Sequence, residues 1–242
     1  MSTLVERMKV RFYDPREGWI DGTTRYVGLL RAHIKSGARV LDIGPGGAGS
    51  FGHARYLPFC HVVGVDPDPA VRQNTALAEA VVGRAEDLPF DSCSFDAAVS
   101  NYTLEHIGDP PRAAREIYRV LLGGGVFVFR TPNLWHYASL LSLVVPQRLH
   151  TGLAHWAKRK KAGRMTCRTV YHCNTVGAIR RAFLPAGFQV VLLETLEAEP
   201  SYLQFCAPAF LLGVAYERMV SRHEALARLR ANICGVLRKP LH

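Results

Sequence analysis

The sequence predicts an α/β protein built on a seven-stranded, mostly parallel sheet with helices on both faces. Seven short apolar, β-branched runs recur along the chain with helical stretches between them, the alternation that builds βαβ units. The first run ends in a glycine cluster that opens a helix, as a parallel strand does above a ligand. The 242 residues, 48% hydrophobic and 21% charged, fit one large well-buried domain and exclude a long disordered chain.

The elements follow in order. Residues 1–37 read as an N-terminal helical segment; it lacks the apolar stretch of a signal peptide, and nothing in the chain reaches 18 uninterrupted apolar residues, so a cytoplasmic protein is expected. Strands are expected at 39–43, 61–65, 80–82, 95–100, 126–130, 188–193 and 233–237. Asp109-Pro110-Pro111 opens a helix running to Leu122, and Gly123-Gly124-Gly125 ends it. Asn174 or Thr175 caps another, which stops near Pro185. Residues 207–230 read as one further helix. Residues 38–133 form the ligand-binding half and 174–242 the C-terminal helices and last strands. Between them, 134–173 is too long for a simple connection and reads as a lid or acceptor insert after the fifth strand.

Charge divides the chain. Residues 1–116 carry 13 Lys and Arg against 15 Asp and Glu, whereas 117–242 carry 17 against 5. The basic half is read either as attraction to an anionic surface or ligand, or as a solvated face. The six cysteines form no Cys-x-x-Cys pair, which indicates neither a disulfide framework nor a zinc ribbon.

The glycine loop, Gly44-Pro-Gly46-Gly-Ala-Gly49, supports two readings. It is literally a dinucleotide fingerprint, with Asp66 placed 22 residues after Gly44 to bind ribose hydroxyls. That makes an NAD-dependent oxidoreductase a competitor. Asp42, two residues before Gly44, would instead repel a pyrophosphate and attract an ammonium group. A nucleoside with a cationic amino-acid tail fits better.

The segments Val40–Gly49, Val63-Gly-Val-Asp66, Ala85-Glu-Asp-Leu-Pro-Phe90 with Phe95-Asp96, Leu104-Glu-His-Ile107, Arg119–Gly125 and Thr131-Pro-Asn133 stand in an order and spacing that resemble class I S-adenosylmethionine-dependent methyltransferases. The closest likeness is to the quinone-biosynthesis and small-molecule methyltransferases, whose sheet is Rossmann-like. The likeness is strong over about 38–133; it departs at the loop, where Ala48 replaces the commonest third glycine and Gly49 follows. The resemblance implies S-adenosyl-L-methionine as cofactor and a small-molecule acceptor. It implies that Gly44 and Gly46 let the chain pass close to the methionine part, with Asp42 near its amino group. Asp66 would accept the ribose hydroxyls. Glu86, Asp87 and Leu88 form the adenine turn, Asp87 toward the amino group and Leu88 beside the ring, and Asn101 lies near the sulfonium. The alternative for Glu86 and Asp87 is an ordinary polar turn before Pro89.

A sulfonium donor is already activated, so such an enzyme chiefly aligns reactants and excludes water. For a hydroxyl acceptor, His106 is the best-placed general base, Glu105 could orient it and Tyr102 is a lesser candidate. The bland alternative is that Glu105 and His106 only pack the loop. Two further signals are set aside. Asp109-Pro110-Pro111 resembles the motif of DNA and RNA amino-methyltransferases, but it lies eight residues beyond Asn101 with Arg112 in the aromatic position, so no nucleic acid is expected. Cys167, His172 and Cys173 are three ligands at loose spacing, so no metal is expected.

In the insert, Trp135, His136, Tyr137, Trp156, Tyr171 and His172 stand beside the apolar Leu140, Leu141, Leu143, Val144 and Val145 and the basic run 158–161. A lid over a lipophilic or glycosidic acceptor, peripheral contact with an anionic membrane, and a helix packed on the sheet are its three readings. The run 203–216 suits core or homodimer contact. A non-catalytic cofactor-binding or membrane-associated scaffold is the remaining alternative from another class.

Overall fold

The computed structural model describes residues 4–14, 16, 18–48, 52–144 and 169–241. Seven strands form one sheet: β1 (Arg39–Ile43), β2 (His61–Asp66), β3 (Glu79–Val82), β4 (Phe95–Asn101), β5 (Leu121–Pro132), β6 (Gln189–Leu196) and β7 (Asn232–Arg238). Their order is β3-β2-β1-β4-β5-β7-β6. The pairs β3–β2, β2–β1, β1–β4 and β4–β5 are parallel. Along β7, Gly124 N–H meets the Lys239 carbonyl and Asn133 N–H the Ala231 carbonyl, at 2.9 and 2.8 Å, so this strand runs antiparallel to β5. The expected seven-stranded, mostly parallel sheet is therefore present. The order reverses between β1 and β4, the switch point above which ligands bind in such sheets.

Among the described residues, six helices accompany it: α1 (Leu4–Phe12), α2 (Gly22–His33), α3 (Pro110–Val120), α4 (Tyr137–Val144), α5 (Val176–Phe183) and α6 (Ala207–Arg222). Two start where their caps predict. Asp109 Oδ1 accepts the Arg112 amide at 3.1 Å with Pro110 in the first turn of α3, and Thr175 Oγ1 accepts the Ala178 amide at 3.0 Å on α5.

Two expectations are corrected. The Gly123-Gly124-Gly125 run does not stop α3, which ends at Val120, and β5 begins at Leu121. The open carbonyls at the helix end are met instead by the Lys239 ammonium, 2.9 Å from the Tyr118 oxygen and 2.7 Å from that of Leu121. The glycines lie inside β5, where pairing with β4 slips between Phe95 and Ala97. A Cβ on Gly125 would sit 2.9 Å from the Leu122 oxygen and 3.0 Å from that of Asp96, so the bend admits no side chain there. The helix expected over 207–230 ends at Arg222, and a 3-10 turn, Glu224–Leu229, follows. Tyr216 Oη donates to the Leu229 carbonyl at 2.7 Å and fixes that turn against α6.

The chain divides into two compact units. One comprises Met1–Arg25, Pro132–Arg164 and Thr195–Asn232; the other comprises Tyr26–Thr131, Met165–Glu194 and Ile233–His242. The first has its own small aromatic core of Tyr13, Phe210 and Val214, joined by Phe12 and Trp19. The second holds the main core: Leu41, Ile43, Val63, Val65, Phe127 and Phe129 from the strands pack on Ala113 and Ile117 of α3 and on Ile179 and Phe183 of α5. Of the expected insert, residues 134–144, which include α4, and 169–173 are described. Gly49, Val145, Trp156, Lys158 to Lys161 and Cys167 lie outside the described residues, as does most of the expected lid. No helix among the described residues is long and apolar enough to cross a membrane.

Candidate functional site

The loop after β1 is built by backbone conformations that glycine favours. Gly44 has φ +76° and Gly46 φ +67°, a region in which a Cβ meets its own backbone. A Cβ on Gly44 would also collide with the Thr103 side chain. The Gly44 amide donates to the Val65 carbonyl at 2.8 Å, tying the loop to β2. At the end of β2, Asp66 is 8% exposed, and its carboxylate accepts the amides of Gly46 at 2.9 Å and Asp68 at 2.8 Å. Asn74 Nδ2 donates to the Gly46 carbonyl at 3.1 Å and closes the cradle. Each Asp66 oxygen thus keeps acceptor capacity in a fixed orientation.

Adjoining Gly44, in the second unit, is a small open cleft. Its walls are Ile43 and Gly44, then Val65 and Pro67, then Gly83 to Glu86, and finally Thr103, His106 and Ile107. Gly44, Glu86 and His106 of the expected site residues are therefore together in one cleft. Glu86 Oε1 accepts the Gly108 amide at 3.0 Å, which joins two of the walls.

Other expected residues are placed differently. Asp42 is fully buried and outside the cleft lining; its Oδ2 is 2.7 Å from His53 Nδ1. The electrostatic case against a pyrophosphate ligand assumed an Asp42 carboxylate facing the loop, and that assumption does not hold in this structure. Leu88 is 4% exposed and belongs to the main core, while Asp87 is exposed and makes an isolated bridge with Arg84. Glu105 is buried, and its Oε2 accepts the Thr131 hydroxyl at 3.2 Å. Thr131 Oγ1 in turn accepts Asn174 Nδ2 at 2.7 Å. Burial pushes the Glu105 carboxyl up to about 7, since its own backbone amide and the Thr131 hydroxyl offset only part of the lost hydration. Asn101 Oδ1 accepts Arg130 Nε at 2.8 Å, and Tyr102 is 41% exposed with φ 55°.

Three residues absent from the sequence expectations hold the α2-facing side of the sheet. Tyr26 Oη is 2.8 Å from His53 Nε2 and donates to the Ser100 carbonyl at 2.9 Å, and the other edge of the His53 ring faces Asp42, so the three buried side chains adjoin one another. Burial drives the Tyr26 phenol well above its ordinary range, with Asp42 adding to the effect. Arg130, 4% exposed, stands over the rings of Tyr26 and Tyr102 at 5.2 and 4.8 Å. The one local signal was an arginine closing the otherwise apolar run Val126-Phe-Val-Phe129; Tyr26 and His53 carry none.

The remaining candidates resolve simply. His172 Nδ1 is 2.9 Å from the Gly108 carbonyl, Cys173 is buried, and no cluster of three or more metal-ligating side chains exists among the described residues. Asp109 is occupied as the α3 cap.

With this geometry in place, the chain can be compared with known proteins. Residues 41–129 match the family described as "Methyltransferase domain". A sarcosine/dimethylglycine N-methyltransferase of Aphanothece halophytica is 32% identical over 52% of this chain and 51% of its own length. A chloroplastic 2-methyl-6-phytyl-1,4-hydroquinone methyltransferase of Oryza sativa subsp. japonica is 38% identical over 37% of this chain and 29% of its own length. The chain spans about half the length of the first of these relatives and less of the second. Among solved structures, an S-adenosylmethionine-dependent methyltransferase from Mesorhizobium loti shares the fold at TM-score 0.53 and 19% identity, covering 87% of this chain and 96% of its own. So does the (4+2)-cyclase SpnF at TM-score 0.54 and 19% identity, covering 90% and 82%; fold alone does not choose the chemistry. What the sequence match over the loop and β1–β5 adds is a likeness: residues 41–129 are similar to a methyltransferase domain.

Proposed function

We propose that the protein transfers a methyl group from S-adenosyl-L-methionine to a small-molecule acceptor by in-line displacement. The observation that carries this reading is the Gly44–Gly46–Asp66 cradle at the strand carboxyl ends, whose Gly44 also lines the cleft. Its left-handed glycines fit a close-lying ligand, and its oriented carboxylate fits vicinal ribose hydroxyls. When bound, the cofactor supplies an activated methyl group on sulfur. Around it, Glu86 and the Gly83–Ala85 turn line the nucleoside side of the cleft. His106, at the same cleft, takes the acceptor proton when the nucleophile is a hydroxyl. The relatives named for sarcosine, dimethylglycine and a hydroquinone support a small acceptor.

Calorimetry against S-adenosylhomocysteine and NAD tests the reading. The wild type is expected to bind the homocysteine product and not NAD; binding of NAD alone ends the proposal. Asp66→Ala is expected to weaken S-adenosylhomocysteine by about 2 to 4 kcal/mol, since it leaves two ribose hydroxyls unpaired and frees the loop amides. An unchanged dissociation constant in a folded variant removes Asp66 from the site.

A further inference from the structure

We propose that the outer face of α6, with the basic residues around it, docks the first unit on an anionic membrane surface. The proposal does not depend on the methyl-transfer reading. Helix α6 is apolar on two sides. Phe210, Gly213, Val214, Glu217 and Val220 make its buried side. On the other side Pro208, Leu211, Leu212, Ala215, Met219 and Arg222 are all exposed, Leu212 by 72%, Met219 by 46% and Leu211 by 45%. At the helical period these six positions share an arc of about 100°, the width of the apolar stripe that a helix ordinarily turns to the core. Here a second such stripe faces outward, and contiguous exposed apolar surface marks a contact with a partner or a membrane. Trp135, Leu140 and Leu141 add exposed apolar surface to the same unit, on and just before α4, whose Tyr137 ring meets Tyr216 of α6 at 5.2 Å.

Charge and size choose the occupant. The stripe holds no acidic residue, since the one acid of α6, Glu217, is 1% exposed on the buried side. Arg222 closes the stripe, and Arg218 ties α6 to α1 by donating to the Phe12 carbonyl at 2.9 Å. Helix α1 gives Val5, Met8 and Phe12 to the shared core and leaves Leu4, Arg7, Val10 and Arg11 exposed. Glu6 is the one acid on α1, and Lys9 is paired with Glu199 at 2.6 Å. Apolar side chains accompanied by arginines, with few carboxylates, complement the acyl boundary and head groups of anionic lipids. From Pro208 to Arg222 the stripe is about 20 Å long and about 10 Å wide, roughly 200 Å² in projection, where a stable protein interface takes about 800 Å² from each partner. A second copy of the chain is therefore a poor occupant. Adsorption to lipid has no such threshold, because each side chain that enters the interface adds its own share. With 16 residues α6 is shorter than the roughly 20 that a span requires, so it lies on the surface and does not cross it.

Flotation of the full chain with phosphatidylcholine vesicles, with and without phosphatidylglycerol, tests the proposal. The wild type is expected to float with the anionic vesicles and not with the neutral ones. Leu212→Asp, at an exposed side chain that supports no core, is expected to weaken this binding about tenfold or more, and Leu212→Phe to leave it at the wild-type level or above. Arg222→Gln is expected to weaken it about fivefold at low salt, with the difference closing as salt rises. The basic run 158–161 can draw the chain to anionic vesicles by charge alone, so the Leu212 variants carry the decision. If Leu212→Asp floats as the wild type does, or if the wild type does not float, the proposal is overturned. Sedimentation equilibrium of the protein without lipid covers the other occupant. A monomer, or a dimer that Leu212→Asp leaves intact, keeps the face for lipid. A dimer that Leu212→Asp dissociates overturns the proposal and gives the face to a second copy.

Discussion

The two faces of the sheet in the second unit carry opposite chemistries on the same strands. On one face Leu41, Ile43, Val63, Val65, Phe127 and Phe129 pack on α3 and α5, with the Phe127 and Phe183 rings stacked at 5.4 Å. One residue along, the strands turn Asp42 and Arg130 to the other face, where Tyr26 of α2 and His53 join them. Strands of a parallel sheet buried on both faces ordinarily read as continuous apolar runs. A charged residue near the carboxyl end of such a strand is costly to bury, and it lies at the edge where ligands bind. The apolar face therefore serves mainly stability, and the polar face trades part of it for placed charge.

The difference is open to attack from both sides. Phe127→Ala, at a fully buried ring packed on Phe129 and Phe183, is expected to lower unfolding free energy by about 3 to 5 kcal/mol in urea melts. A loss under about 1 kcal/mol would show that the apolar face is not the main support. Asp42→Asn removes the charge that meets His53 in a site without solvent and is expected to cost about 2 to 4 kcal/mol. A gain in stability would instead mark Asp42 as kept for function at a net cost.

Glu105 sharpens the comparison, because its hydroxyl partner Thr131 follows Phe129 by two residues on β5 and so faces the apolar side. Its carboxyl is raised from 4.5 to about 7 in the folded protein. Below about pH 4.5 both states hold the proton and there is no penalty. Through the window up to about 7 the unfolded chain ionises first, so folding loses stability as pH rises. Between pH 5 and 7 this contributes about 2 kcal/mol, and Glu105→Gln is expected to remove that part of the slope. Urea melts of both proteins at the two pH values read the difference directly, and parallel profiles would place Glu105 in a better-solvated site.

Local spacing made much of this legible. Strands β1, β2 and β4 are apolar runs with clear borders, and Gly44, Gly46 and Asp66 announce themselves because a tight turn needs glycine and a strand-end carboxylate has a fixed offset from it. Asp109 and Thr175 were readable as caps for the same reason. The glycine run 123–125 was not, since three glycines serve equally as a helix stop and as a strand bend, and only the approach of the Asp96 and Leu122 carbonyls tells which. Leu88 reads as a residue beside a ligand ring until its burial in the core is known.

The order of apolar and polar residues determined, without any coordinates, a parallel sheet with a glycine loop above its first strand, because hydrophobic period and turn chemistry act over a few neighbouring residues. The direction of the Asp42 carboxylate, the partner of Glu105 and the bracketing of Arg130 were decided only by tertiary structure. Each depends on groups brought together from far along the chain: His53 for Asp42, Thr131 for Glu105, and Tyr26 and Asn101 for Arg130. Burial and charge are properties of that assembled neighbourhood, and no short window of sequence contains it.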